Sequence, residues 1–141
     1  MSIPLICLLL FAAHTLLVVV VGIGTPRVSR VLSGAARPGD FPADTPHGGE
    51  RYRRTMRAHA NCVENLPVFA SVVLTGAVAG ASSGTLDVLA MVYLGARVCQ
   101  TIAHVASGRG LVVNIRFTFF LVQIVCVVWM GILVALHLTR G

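Results

Sequence analysis

The chain of 141 residues predicts an all-α membrane protein, an up-down bundle of four transmembrane helices in a single domain over residues 1–141. Three observations predict it. Hydrophobic residues make up 56% and charged residues only 11%, far below the roughly 25% charge of soluble domains. Four apolar runs, roughly 3–24, 62–81, 86–106 and 111–138, each supply the ~20 helical residues that cross a ~30 Å hydrocarbon layer. The last three runs are separated by short Gly- and Ser-containing breaks, and short breaks make successive helices antiparallel neighbours.

The first run reads as a retained span rather than a signal peptide. No basic residue precedes it, its apolar stretch is long, and no small-residue cleavage site stands out. Gly24, Thr25 and Pro26 are expected to end or bend it. The connection over 25–50 is the one long break. Pro38, Gly39, Pro42, Pro46, Gly48 and Gly49 predict irregular backbone there, and helix is expected to resume near Glu50 and run unbroken into the second span. Residues 80–84 and 107–110 predict tight turns. Gly76 and Gly80 offer a small-xxx-small surface for close helix contact.

All eleven basic residues are arginine, against five acids. Arg27, Arg30, Arg37, Arg51, Arg53, Arg54 and Arg57 lie in or beside the first connection, and Arg109 and Arg116 flank the third. The second connection is bordered by Asp87 and has no arginine. Positive-inside bias therefore places connections one and three in the cytoplasm and both termini on the other side. A topology signal by itself accounts for the loop arginines. No nucleic-acid module is visible, and lipid headgroups explain arginines beside spans. Cys7, Cys62, Cys99 and Cys126 fall one per span without a CxxC, so buried free thiols are expected and no metal site.

Two helical stripes carry the polar residues of the spans. Arg53, Arg57, Asn61 and Glu64 share one face of the second helix. Tyr93, Arg97, Gln100 and His104 follow i, i+4, i+7, i+11 on the third, flanked by Thr101. An acidic or basic side chain at the centre of a spanning helix costs about 2.5–3.5 kcal/mol, so such residues face protein or water and mark functional sites. Arg97 could pair with Glu64 and join two helices. Alternatively the stripes line a polar cleft for an anionic ligand, because guanidinium forks grip carboxylates bidentately and one Glu64 is outnumbered by Arg53, Arg57, Arg97 and Arg116. His59 reads as an interfacial or packing residue, and His14 and His137 as span-end or interfacial residues.

These blocks resemble the membrane-associated proteins in eicosanoid and glutathione metabolism, the MAPEG family, in its short bacterial type. The first block is Arg57, Ala58, His59, Asn61, Glu64, Pro67 and Phe69; the second runs over 92–104 and contains Tyr93, Arg97, Gln100, Thr101 and His104; the third is Asn114, Ile115 and Arg116. The blocks fall in the family's order, and the likeness covers nearly the whole chain. It implies four helices per subunit, a homotrimer in a bacterial inner membrane, and glutathione as thiol co-substrate in clefts between subunits that open to the cytoplasm. The residues matching the family's glutathione-binding positions are Arg54 or Arg57, Asn61, Glu64 and Arg97, with Thr101 and His104 beside them. The family's first-helix arginine implicated in thiol activation is matched by Arg27 or Arg30, and the arginine opening its last helix is matched by Arg116; Arg30 and Arg116 are the catalytic candidates. Two features depart from the pattern: many glutathione-using members carry tyrosine where this chain has His104, and the turn before Arg116 is longer than usual.

The resemblance thus implies a glutathione transferase or peroxidase acting on lipophilic electrophiles, with arginines stabilising the thiolate. Some members have no enzymatic activity, so a non-catalytic lipid-binding or scaffolding membrane protein is the alternative. A small proton-coupled transporter built on Glu64 is a weaker reading, since arginines around the carboxylate repel cations.

Overall fold

The computed structural model describes residues 2–42, 47–106 and 110–140. Pro46 and the expected turn at 107–109 lie outside them. The described residues form α1 (Ile3–Val19), a π-helical segment (Val20–Gly24), α2 (Thr25–Leu32), a short 3-10 turn (Pro38–Asp40), α3 (Glu50–Val78), α4 (Gly84–Ala106) and α5 (Gly110–Arg140). Four helical stretches are long and apolar enough to cross a membrane: Ile3–Leu32, Glu50–Val78, Gly84–Ala106 and Gly110–Arg140.

The first span differs from expectation. The boundary at 24 and the loop start at 25 do not mark a helix end, because helix continues to Leu32. Pro26 clashes with the carbonyl four residues back and lacks an N–H, which ordinarily kinks or stops a helix. Here the preceding turn is widened into a π-helix. The backbone N–H of Thr25 reaches the Val20 carbonyl across that wide turn, and its Oγ1 donates to the same oxygen at 3.0 Å. The true stop comes at Gly34, in the left-handed region (φ 72°). There the amides of Gly34 and Ala35 close onto the carbonyls of Val31 and Arg30 at 3.0 and 2.9 Å.

α3 starts at Glu50 and runs 29 residues, about 43 Å, through Pro67 without interruption. It ends on Gly80 (φ 70°), where the amides of Gly80 and Ala81 reach the carbonyls of Ala77 and Gly76. Ser83 opens α4 by accepting the Leu86 amide on its Oγ at 3.2 Å.

Direction alternates along the bundle. Arg54 Nε donates to the Val105 carbonyl at 3.4 Å, which brings the start of α3 beside the end of α4. The ring of His137 meets the Ala79 carbonyl at 3.1 Å, which joins the far ends of α3 and α5. The arginine-rich end of the molecule is therefore one end of the bundle.

The core is shared by all four spanning helices, with Cys126, Val127, Met130 and Val134 supplied by α5, and its aromatic centre lies where α1, α3 and α4 meet. Phe69 and Tyr93 stack at 4.1 Å and 4°, and Phe11 tilts against both at 6.2 and 5.9 Å. Gly76 is buried, and a Cβ there would press on Val134 at 3.0 Å, so the small residue is what lets α3 and α5 close together. All four cysteines are free. Cys7, Cys62 and Cys126 are buried as expected, but Cys99 is exposed, because it lies on the outward face of α4 with Gly95 and Ile102.

Candidate functional site

The polar residues of the spans form three groups, and each is set by which way its helix face turns. The innermost group lies between α1, α3 and α4 beside the aromatic core. Arg97 is only 1% exposed. Its Nη1 donates to Asn61 Oδ1, and its guanidinium carbon stands 5.4 Å from the centroid of Phe11. Its Nε and Nη2 have no hydrogen-bond partner among the described residues. Removing a guanidinium from water costs several kcal/mol unless it is paired, so Asn61 and the Phe11 ring carry most of the compensation.

Thr101 sits one turn further along α4, also buried. Its hydroxyl donates to the Arg97 carbonyl at 3.0 Å. A hydroxyl has one hydrogen, so the His14 Nε2 at 3.0 Å must be a donor to Thr101, and the Cys62 thiol at 3.7 Å points its weaker hydrogen the same way. His14 is thus no span-end residue. It is tied across the bundle to Thr101, at a sequence separation that no local pattern exposes. A polar ring inside an apolar run was the only available signal.

The second group links α4 to α5. Arg116 Nη1 lies 3.2 Å from His104 Nδ1. A guanidinium only donates, so Nδ1 is the acceptor and the imidazole proton is on Nε2, free to meet another group. Gln100 Nε2 donates to the Arg116 carbonyl at 3.2 Å, and Gln123 Nε2 donates to Gln100 Oε1 at 3.1 Å and to the Phe119 carbonyl at 2.8 Å. Gln123 is fully buried and was not singled out from the sequence. It forms the inner end of a ladder that fixes the α5 backbone at Arg116.

The third group is the arginine-rich rim. Arg54 is held by Glu50 at 3.2 Å and by the Val105 carbonyl. Arg27 Nε donates to the Tyr52 hydroxyl, and its guanidinium stands 5.4 Å from the Phe41 ring and 5.9 Å from the Tyr52 ring. Those contacts fasten α2 to α3 and fold the first connection onto them. Arg30, one turn further along α2, is exposed.

The expected stripe on α3 straddles a boundary. Asn61 turns inward to Arg97, whereas Arg53, Arg57 and Glu64 are exposed on the outer face of the chain. The expected pairing of Arg97 with Glu64 does not occur. The amide of Asn61 takes the guanidinium because residue 61 points into the bundle and residue 64, three positions on, points out of it. Among the described residues the ion pair present is Arg54 with Glu50.

The arrangement leaves Arg57 and Glu64 presenting opposite charges outward from a spanning helix, with the Asn61 amide oriented from behind by Arg97. Across the same end, His104 and Arg116 present an imidazole N–H and a guanidinium. Such a set can bind a zwitterionic or polyanionic ligand and hold a thiolate.

The chain has no match among curated proteins. The sequence profile of the MAPEG family matches residues 3–136. That membership supports, at family level, a glutathione-related function of transferase, peroxidase or eicosanoid type in a membrane. The match spans nearly the whole chain and all four spanning helices, and this four-helix integral membrane protein belongs to the MAPEG family.

Proposed function

We propose that the chain is one subunit of a homotrimer and that glutathione binds where the outer face of α3 meets a neighbouring copy. The observation that carries this is the outward position of Arg57 and Glu64. Charged side chains near the apolar part of a spanning helix are stable only against protein or water, and among the described residues no group of the same chain forms an ion pair with either. A facing subunit and a water-filled cleft meet that requirement.

Glutathione fits the chemistry of this face. It has two carboxylates, one ammonium and a thiol. Arg57 and Arg54 take carboxylate, Glu64 takes the ammonium, and the Asn61 amide adds neutral hydrogen bonds. Arg97 and Thr101 act one layer back: Arg97 holds Asn61 in place, and Thr101 ties α4 to α1 through His14. Arg30 and Arg116 are the groups for the sulfur, since positive charge beside a thiol favours the nucleophilic thiolate. His104 supplies an N–H donor from Nε2 where many glutathione-using members have a tyrosine hydroxyl. The thiolate then forms a carbon–sulfur bond to a lipophilic electrophile as the leaving group departs, or attacks the O–O bond of a lipid hydroperoxide, releasing the alcohol and a glutathione sulfenic acid that a second glutathione converts to the disulfide and water. The acceptor comes from the membrane and the thiol from the cytoplasm, which places the arginine-rich end and connections one and three there. Both termini then lie on the far side of a bacterial inner membrane.

Purified protein in lipid discs tests the reading. Glutathione conjugation to a chloronitrobenzene, or peroxide reduction, together with calorimetric binding of glutathione, is expected. No turnover on either acceptor and no heat of glutathione binding would refute it.

A further inference from the structure

At the arginine-rich end, α1 and α4 diverge and leave an open trough of about 1090 Å³. Leu17 and Val21 form one wall, Ile102 and Val105 the other, and Arg51 and Tyr52 stand at the rim. The back is closed where Gly22 lets the π-helical segment touch the Thr55 side chain of α3, a contact that leaves no room for a Cβ at residue 22. The walls open sideways, with Ile102 62% and Leu17 58% exposed.

The charge at the rim is cationic. Glu50 also borders the trough but is neutralised by Arg54. Arg27 is turned to Tyr52 and Phe41. Among the described residues Arg51 has no acidic partner; its carbonyl accepts from Thr55 Oγ1 at 3.0 Å, and its guanidinium is exposed. An apolar trough that ends in a guanidinium and a phenol matches an amphiphile with a hydrocarbon tail and an anionic head, the chemistry by which basic pockets between spanning helices hold acidic lipids.

We propose that this trough holds one acyl chain of an anionic phospholipid of the bilayer, with the headgroup phosphate against Arg51. The site lies within a single chain and needs neither glutathione nor a second subunit. Its readout is lipid retention, so its failure and the failure of the glutathione reading are separate results.

The test offers delipidated full-length protein an equimolar mixture of phosphatidylglycerol and phosphatidylcholine in mild detergent and counts retained lipids by native mass spectrometry. Wild type is expected to keep phosphatidylglycerol preferentially. Arg51→Gln is expected to lower that preference about fivefold, the factor attached to one arginine near an anionic surface. Ile102→Trp or Leu17→Trp, each at an exposed wall position, is expected to fill the trough and abolish retention of both lipids with unchanged helical circular dichroism. Equal retention of the two lipids by wild type overturns the proposal. So does undiminished retention in both tryptophan variants, or a photo-crosslinker at residue 102 that captures a second chain instead of lipid.

Discussion

Replacing Asn61 by leucine isolates the contact that holds the polar core together. Arg97 is buried and donates through Nη1 to the Asn61 side chain, while its Nε and Nη2 have no hydrogen-bond partner among the described residues. Asn61→Leu keeps the number of side-chain heavy atoms and leaves the guanidinium with the aromatic residues Phe11 and Tyr93. Breaking a buried charged pair from one side costs about 3–5 kcal/mol, because the orphaned charge keeps its desolvation cost. Asn61 is neutral, so the lower end, about 3 kcal/mol, is expected. Arg97→Met removes the charge itself and leaves the Asn61 amide oxygen with only the long hydrogen bond from Asn65 Nδ2 at 3.5 Å, a loss of about 1 kcal/mol. The double variant removes donor and acceptor together and is expected within about 1 kcal/mol of wild type. Reversible unfolding in bicelles measures all three. A double-variant loss equal to the sum of the single losses would refute the reasoning, since it would mean that the two side chains do not interact.

Other expectations follow from the same geometry. Glu64→Gln is expected to leave unfolding unchanged within about 0.5 kcal/mol, since the exposed carboxylate forms no ion pair among the described residues, and to weaken glutathione binding about tenfold or more by calorimetry through loss of a charge-assisted hydrogen bond. His104→Tyr, which restores a donor at that position, is expected to keep thiol conjugation, whereas His104→Phe is expected to lower its rate constant at least tenfold; equal rates for the two would exclude a donor role. Tyr52→Phe keeps the ring under Arg27 but removes the acceptor of its Nε. It is expected to cost about 1 kcal/mol and to speed amide hydrogen exchange across α2. Gln123→Leu is expected to cost under about 2 kcal/mol in the same unfolding assay. It loses the bonds to Gln100 and to the Phe119 carbonyl but also removes a buried Oε1 that has no partner among the described residues.

The spans were legible because twenty-residue apolar runs have one physical explanation in a chain this poor in charge. The start of α3 at Glu50 and its end at Gly80 were legible too, since a left-handed C-cap selects glycine. Pro26 misled the reading of the first span. A proline reads as a breaker, and nothing local shows that the turn before it widens to make room. On α3 the spacing of Arg57, Asn61 and Glu64 placed them within a narrow arc of the helix. It left open where the bundle surface cuts that arc, and the cut leaves Asn61 inside and both Arg57 and Glu64 outside. Depth and rotation are set by packing against α1 and α4, which is why the partner of Arg97 was open in the sequence. The contacts of His14 with Thr101 and of Gln123 with Gln100 join residues 87 and 23 positions apart. Each showed in the sequence only as a polar residue in an apolar run.

The account centres on the outward face of α3 as one wall of a glutathione cleft between copies of the chain. A cryo-EM reconstruction of the protein in lipid discs with glutathione present tests this most directly. The account predicts three copies around an axis, with tripeptide density between neighbours in contact with Arg57 and Glu64. Lipid density packed directly on Arg57 and Glu64, with no ligand between subunits, would contradict it.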